Sequence, residues 1–375
     1  MVYFDNAATT PVPKAVADAM CEVLTAHFGN PSSQYPIGVE MKKAVEGWRA
    51  VIAGALGCPA ERLYFTSCGT ESDNWAIQAA LWQNRHRGRH IITTAVEHSA
   101  VLEPCKLLAQ QGYEVTYLKP GRDGNVTAEQ VADALREDTA LVSVMLVNNE
   151  TGCVFPAADI AALLREKGSP ALLHCDAVQG FLKVPCDPEG WGVDLMSLSG
   201  HKVGGPKGVG ALYIGPRVRN PHLPGGGQER GARSGTEATA QIAGFAKAVE
   251  LRLADYDAKL AHMAGLKTYC REKLLAMGGV VPVGEGTAPH ILAVSLVGYP
   301  SANIVTDLGA QGICISAGSA CHQGKASHVV SALGLDKKTA AGVIRISFSP
   351  DNTREDVDVL CQALLAHRDS RFPML

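Results

Sequence analysis

"VDLMSLSGHKVGGPKGVGALYI", residues 193–214, sets two apolar runs on either side of a histidine, a lysine and a string of glycines. Both runs have the length and continuous apolarity of strands covered on two faces. The glycines between them mark a tight connection. Lys202 therefore sits on a turn between two buried strands. An amine in that place either points harmlessly into solvent or is needed inside a site.

Outward from this stretch the pattern repeats. "RLYFTS", "HIITTAV", "YEVTYL", "ALVSVMLVN", "ALLHCDAV", "VDLMSLS" and "GALYIG" read as seven short strands, and amphipathic stretches such as "ESDNWAIQAALWQN" and "PAADIAALLREKG" separate most of them. Strands alternating with helices predict an α/β protein with a mainly parallel seven-stranded sheet flanked by helices. Ligands of such sheets bind beyond the C-terminal strand ends, so the residues directly after each strand carry the information. From about residue 237 to 279 a long helical pattern leads away from the sheet. "HILAVSLVG", "ANIVTDLGAQG", "ICISAGSAC" and "AAGVIRISFS" then read as a smaller α/β unit that ends in a helix near 353–368. The expected division is a large domain over 12–248 and a small domain over 249–375, the latter completed by residues 1–11.

The composition is that of an ordinary globular chain: 375 residues, 46% hydrophobic and 19% charged, enough for two domains. A net charge of −3 gives no field for nucleic acid or anionic lipid. No apolar run approaches the roughly 20 residues that cross a bilayer. The opening "MVYFDNAATTP" lacks the basic-then-apolar pattern of a signal peptide, which predicts a cytoplasmic protein. The eleven cysteines are scattered and contain no CxxC, so neither a disulfide framework nor a metal site is expected.

The strand ends collect an unusual set. "CGTESDN" opens a helix with a glycine turn, where free N–H groups and the Thr70 hydroxyl make a phosphate cradle. Glu97-His98 follows the next strand, "NNETG" with Asn149 another, Asp176 and Gln179 the next, and Gly200-His201-Lys202 the last. A lysine for a Schiff base, a carboxylate for a pyridinium nitrogen, a ring for stacking and a helix start for a phosphate are the needs of pyridoxal 5′-phosphate.

"YFDNAATTP", "HFGNPSS", "TSCGTESDN", "EHSAV", "VNNETG", "DAVQ", "SGHKVGGPKGVGALYI", "GGGQERGARSGTEA", "SAGSAC" and "IRISF" occur in this order between residues 3 and 368. Together they resemble the cysteine desulfurases of the NifS/IscS type, fold-type I pyridoxal-phosphate enzymes of the class V aminotransferase group. The resemblance implies Lys202 as the Schiff-base lysine, Asp176 on the pyridinium nitrogen, Gln179 on the phenolic oxygen and His98 stacked on the ring. It implies Thr70, Ser199 and His201 on the phosphate, with Thr236 reaching the phosphate site of the other subunit of a homodimer. Asn149 and Arg345 would hold the substrate carboxylate; the planar fork of arginine suits that task.

Cys321 separates this chemistry from other reactions of the cofactor. It lies in "CISAGSACHQGKASH", a polar, glycine-containing loop where Lys325 or a protonated His322 would favour the thiolate. The resemblance implies that L-cysteine becomes L-alanine while its sulfur stays on Cys321 as a persulfide, for transfer to an acceptor protein in iron–sulfur cluster assembly, tRNA thiolation or a thio-cofactor route. Alternative readings are a selenocysteine or cystine lyase on the same fold, a plain class V aminotransferase, or a non-catalytic, cofactor-bound scaffold for sulfur-assembly partners. The chain departs from the pattern at Cys68, where a smaller residue is usual, and in a slightly shorter loop after Cys321.

Overall fold

The computed structural model describes residues 1–218, 223–317 and 327–373. A two-residue strand, β1 (Val2–Tyr3), opens the chain. Then come β2 (Leu63–Thr66), β3 (His90–Thr94), β4 (Glu114–Leu118), β5 (Thr139–Met145), β6 (Leu172–Asp176), β7 (Leu195–Ser199) and β8 (Gly210–Ile214). These last seven form one sheet in the order β2-β8-β7-β6-β5-β3-β4. The core pairs β4–β3–β5–β6–β7 are parallel, whereas β8 runs antiparallel to both β7 and β2. The turn carrying Lys202 dictates that exception, because a tight connection can only fold a strand back on its neighbour.

Both faces of the sheet are buried, as a parallel sheet requires. Leu141, Leu172, Leu195 and Leu212 pack on one side with Trp75, Ile77 and Leu81 of helix Gly69–Gln83 and Val101 of helix Ser99–Gln110. Val142, Leu173, Met196, Leu198 and Tyr213 face the other side, against Met41, Val45 and Ile52 of helix Pro36–Leu56 and Phe245 and Val249 of helix Thr239–Leu253. Neighbouring residues of one strand thus serve two cores.

The second sheet is built from β9 (Val280–Pro282), β10 (Ile291–Leu296), β12 (Ser316–Ala317) and β13 (Val343–Ser347), all antiparallel, in the order β12-β13-β10-β9; the short β11 (Ile313–Cys314) stands apart from it. Its core combines Leu292, Val294, Ile344 and Ile346 with Met263, Leu266 and Leu274 of helix Tyr256–Ala276 and Val357 and Leu360 of helix Arg354–Ser370. The first residues of the chain belong to this core. β1 pairs in parallel with β11, and Phe4 is fully buried edge-on against Phe348, with ring centroids 5.4 Å apart.

The long helical pattern over 237–279 resolves into two helices, Thr239–Leu253 and Tyr256–Ala276, broken at Ala254 and Asp255. Asp255 takes the left-handed region, φ 54°, which aspartate tolerates better than most residues. The physical reason is packing: the first helix buries its face on the large sheet, the second on the small one. A straight rod would satisfy only one. No helix among the described residues is long and apolar enough to cross a membrane.

Removing the Phe4 ring leaves a cavity between the first residues and the last strand. Phe4→Ala is expected to cost about 3–5 kcal/mol, read as a fall in the urea midpoint; an unchanged midpoint would mean that this segment adds nothing to the small core.

Candidate active site

The C-terminal ends of β6 and β7 meet the start of helix Gly69–Gln83. Asp176 is the last residue of β6 and pairs with Ser197 of β7, which places Ser199 and the one-turn helix Gly200–Lys202 beside it. Asp176 Oδ1 accepts the Val178 N–H at 2.9 Å, leaving its other oxygen for a partner in the cleft. Burial pushes the Asp176 carboxyl up to about 7, helped by the negative charge of Asp73. The Lys202 amine is pulled down to about 8, by burial first and by the Arg345 charge second. Neither group is solvated as it would be in water.

Lys202 Nζ donates to the carbonyls of Ala7 at 2.8 Å and Ala8 at 2.7 Å. Gln179 Nε2 also donates to Ala7 O, at 2.7 Å, while its Oε1 accepts from the buried Lys183 at 3.2 Å. The segment Asp5–Thr10 therefore crosses the mouth of the site. Thr10 ties it to the His201 carbonyl at 3.0 Å, and Thr9 Oγ1 stands 3.2 Å from His201 Nδ1.

His98 caps helix Ser99–Gln110: its Nδ1 accepts the Ala100 N–H at 3.1 Å. A neutral ring so held carries its proton on Nε2. Burial and the Lys202 charge lower its pKa against the pull of Asp176. Arg345, in the middle of β13, donates from Nη1 to the Asn149 carbonyl at 2.8 Å and from Nη2 to Asp5 Oδ1 at 2.7 Å. Asn149 thus meets Arg345 through its backbone rather than its amide.

Thr70, the second residue of its helix, is exposed at the cleft, and Cys68 occupies the N-cap position. Glu71 in the same first turn is drawn aside by Arg233, 2.8 Å away, and by the Ser67 N–H, which keeps its carboxylate low in pKa. Thr236 is also exposed, and no hydrogen bond joins it to the Lys202 turn among the described residues. Cys321, with His322 and Lys325, lies outside the described residues. Its flanks do not. Ser316 of β12 pairs directly with Arg345, Ser327 Oγ donates to Glu150 Oε2 at 2.6 Å, and His328 Nε2 lies 2.8 Å from the Glu97 carbonyl.

Several groups near the site were not singled out from the sequence. Asp5 and the carbonyls of Ala7 and Ala8 come from a segment nearly 200 residues distant. Asp73 and Glu97 form a buried acidic layer: Asp73 stands 3.5 Å from His174 Nε2, whose ring also meets Ser197 Oγ at 2.9 Å and Ser143 Oγ at 2.8 Å. Burial pushes Asp73 up to about 7 and Glu97 well above the carboxylate range. Glu97 offers the signal of a charge directly after an apolar run; Asp73 offers none, because its neighbours Glu71, Ser72 and Asn74 are polar too.

Known proteins resemble this chain over most of its length. Residues 2–360 match the family model described as aminotransferase class-V. A cysteine desulfurase IscS of Methanosarcina thermophila is 42% identical over 362 residues, covering 95% of this chain and 89% of that protein. The chain belongs to the cysteine desulfurases of the class-V aminotransferase family. A solved NifS-like protein superposes with a TM-score of 0.93 at 36% identity, over 99% of this chain and 100% of its own. A structure of SspA in complex with cysteine follows at 0.80 and 33%, over 94% of this chain and 100% of its own.

Enzymes of this family depend on pyridoxal phosphate, and the desulfurase cleft here fits that group. Ser199 Oγ is buried with no hydrogen-bond partner among the described residues. Beside it, a Cβ on Gly69 would come 2.8 Å from Val178 Cγ2 and 3.6 Å from Ser199 Cβ, so only glycine lets the helix start approach this closely. An unsatisfied hydroxyl next to free helix N–H groups is the donor set of a phosphate site. Since the neutral amine is the nucleophile, the rate at which the cofactor-free chain takes up pyridoxal phosphate on Lys202 is expected to rise with pH through about 8 and then level off. Stopped-flow absorbance checks this; a rate still climbing at pH 10 would show an ordinary surface lysine.

Proposed function

We infer that this chain is a pyridoxal-phosphate-dependent cysteine desulfurase that converts L-cysteine to L-alanine and holds the sulfur on Cys321 as a persulfide for an acceptor protein. The observation that carries the reading is the convergence of Lys202, Asp176, His98 and Arg345 on one cleft, bracketed by both flanks of the Cys321 segment.

Bound pyridoxal phosphate supplies an aldehyde for an amine and a ring that stores electrons. The chain does the rest. Thr70, Ser199, His201 and the start of helix Gly69–Gln83 hold the phosphate, and Thr236 serves the same site in a second subunit. Asp176 keeps a proton on the ring nitrogen, a partnership that draws its own carboxyl back toward the ionised form. Gln179 presents Nε2 as a donor because Lys183 occupies its Oε1. Arg345 and Asn149 fix the substrate carboxylate. With its pKa near 8, Lys202 Nζ is neutral often enough at pH 7.5 to take the proton from the substrate Cα. His98 would cover the ring of the bound cofactor, and a proton shuttle through it begins with Nε2–H as donor, because Nδ1 is engaged by the backbone. The Cys321 thiolate then bonds to the substrate sulfur, the Cβ–Sγ bond breaks with its electron pair left on carbon, and a proton completes the methyl group of alanine.

The same reading includes a homodimer. Leu24, Phe28, Tyr35, Ile37 and Val39 are exposed along one short stretch, an apolar surface that a second subunit would cover. Gln228 links that stretch to the Thr236 loop, through Ser32 Oγ at 3.4 Å and Gly235 N at 3.0 Å. It also includes two units, 12–248 and 1–11 with 249–375, and a cytosolic location; the described cysteines are all free thiols, as a reducing compartment would keep them.

Purified chain given L-cysteine is expected to release alanine and gain 32 Da on Cys321. Cys321→Ser is expected to keep the yellow chromophore and lose alanine turnover by at least 100-fold. Full alanine release by that variant would replace the persulfide mechanism with a lyase.

A further inference from the structure

The segment Asp5–Thr10 is tied to the small sheet at one end and to the Lys202 turn at the other. Asn6 Nδ2 donates to Ser347 O at 2.9 Å and the Ala7 N–H to Ser347 Oγ at 2.9 Å. Thr10 Oγ1 accepts the Gly204 N–H at 2.9 Å. Held so, the segment presents three acceptors to the cleft: the Ala7 and Ala8 carbonyls and the Asp5 carboxylate. A primary amine already rests on the carbonyls, the side chain of Lys202. A guanidinium already rests on the carboxylate, the side chain of Arg345, whose Nε is buried without a partner among the described residues.

We propose that Asp5, with the carbonyls of Ala7 and Ala8, is the site that recognises the α-ammonium of the incoming amino acid. The inference rests on the reading of Arg345 as the carboxylate site. A free α-amino acid carries opposite charges two bonds apart, and the free site holds an opposite pair of its own, Asp5 and Arg345, 2.7 Å apart. When a carboxylate takes a share of Arg345, Asp5 loses part of its one direct ion pair among the described residues, in a half-buried place. A ligand with an ammonium replaces that partner; a ligand with a carboxylate alone leaves Asp5 uncompensated, which disfavours it. With pyridoxal phosphate held by Lys202, the amine that now covers the Ala7 and Ala8 carbonyls would be withdrawn, and they too would receive the substrate's N–H groups. One internal ion pair is exchanged for two with the substrate. The selection is made on the charge of the amine, not on the thiol.

The test uses calorimetry on the holoenzyme, with L-alanine, which has both charges, and propionate, which has only the carboxylate. Asp5→Asn keeps the shape and removes the charge. It is expected to weaken L-alanine about ten-fold or more while propionate binds as well as before or more tightly, now that nothing competes for Arg345. Asp5→Glu, which keeps the charge, is expected to retain the preference for L-alanine, and it carries the test if the Asn variant does not fold. Equal weakening of both ligands by Asp5→Asn would reduce Asp5 to a prop for Arg345 and overturn the proposal, as would an L-alanine affinity that does not change. Absence of a yellow holoenzyme from the wild-type chain would instead overturn the proposed function, and this inference with it.

Discussion

An acid and an amine have to share a cleft in which water solvates neither. Burial costs a carboxylate and an ammonium their charge in opposite directions, and here it brings both toward neutral pH: the Asp176 carboxyl up to about 7, the Lys202 amine down to about 8. Everything around them serves that balance. Asp73 raises Asp176 further from beneath, Arg345 lowers Lys202 from the side, and the two backbone carbonyls of residues 7 and 8 give the amine hydrogen bonds without giving it a full counter-charge. An amine poised near the working pH, as Lys202 is, can hold a proton in one step and release it in the next.

The architecture that sets these positions is a register effect. Because β5, β6 and β7 are parallel and in step, Met145, Asp176 and Ser197 lie side by side, and the residues after them emerge on the same edge. The reversal at β8 lets the chain place a lysine in a one-turn helix on a tight connection rather than in a long crossover helix. Gly69 then allows the neighbouring helix to close on that turn, so that its unsatisfied N–H groups face the same space as the unsatisfied Ser199 hydroxyl. Backbone geometry, more than any one side chain, decides where a phosphate can sit.

Much of this was legible in the residues. Most of the seven strands announce themselves as largely apolar runs, because a sheet buried on both faces needs little polar alternation, and the candidates His98, Asn149, Asp176 and Lys202 fall just after such runs or at their ends. Three things were not legible, each for a physical reason. The helical pattern over 237–279 looks continuous because both halves are good helix formers; only the need to pack on two different sheets breaks it at Asp255. The carbonyls of Ala7 and Ala8 are backbone atoms, invisible to residue type. Asp73 reads as a surface acid of an amphipathic helix until the fold buries it beside His174.

The opening segment also imposes an order on how the chain comes to be. Phe4, Asn6 and Ala7 find their partners on Phe348 and Ser347, so these contacts wait for residues some 340 positions further along to leave the ribosome. The large sheet can form earlier, as a unit. Until β13 arrives, Asp5 has no arginine to meet, although Thr10 can already tie the segment to the Lys202 turn. The Arg345 side of the cleft therefore closes late, and a nascent chain that lacks β13 carries an incomplete one.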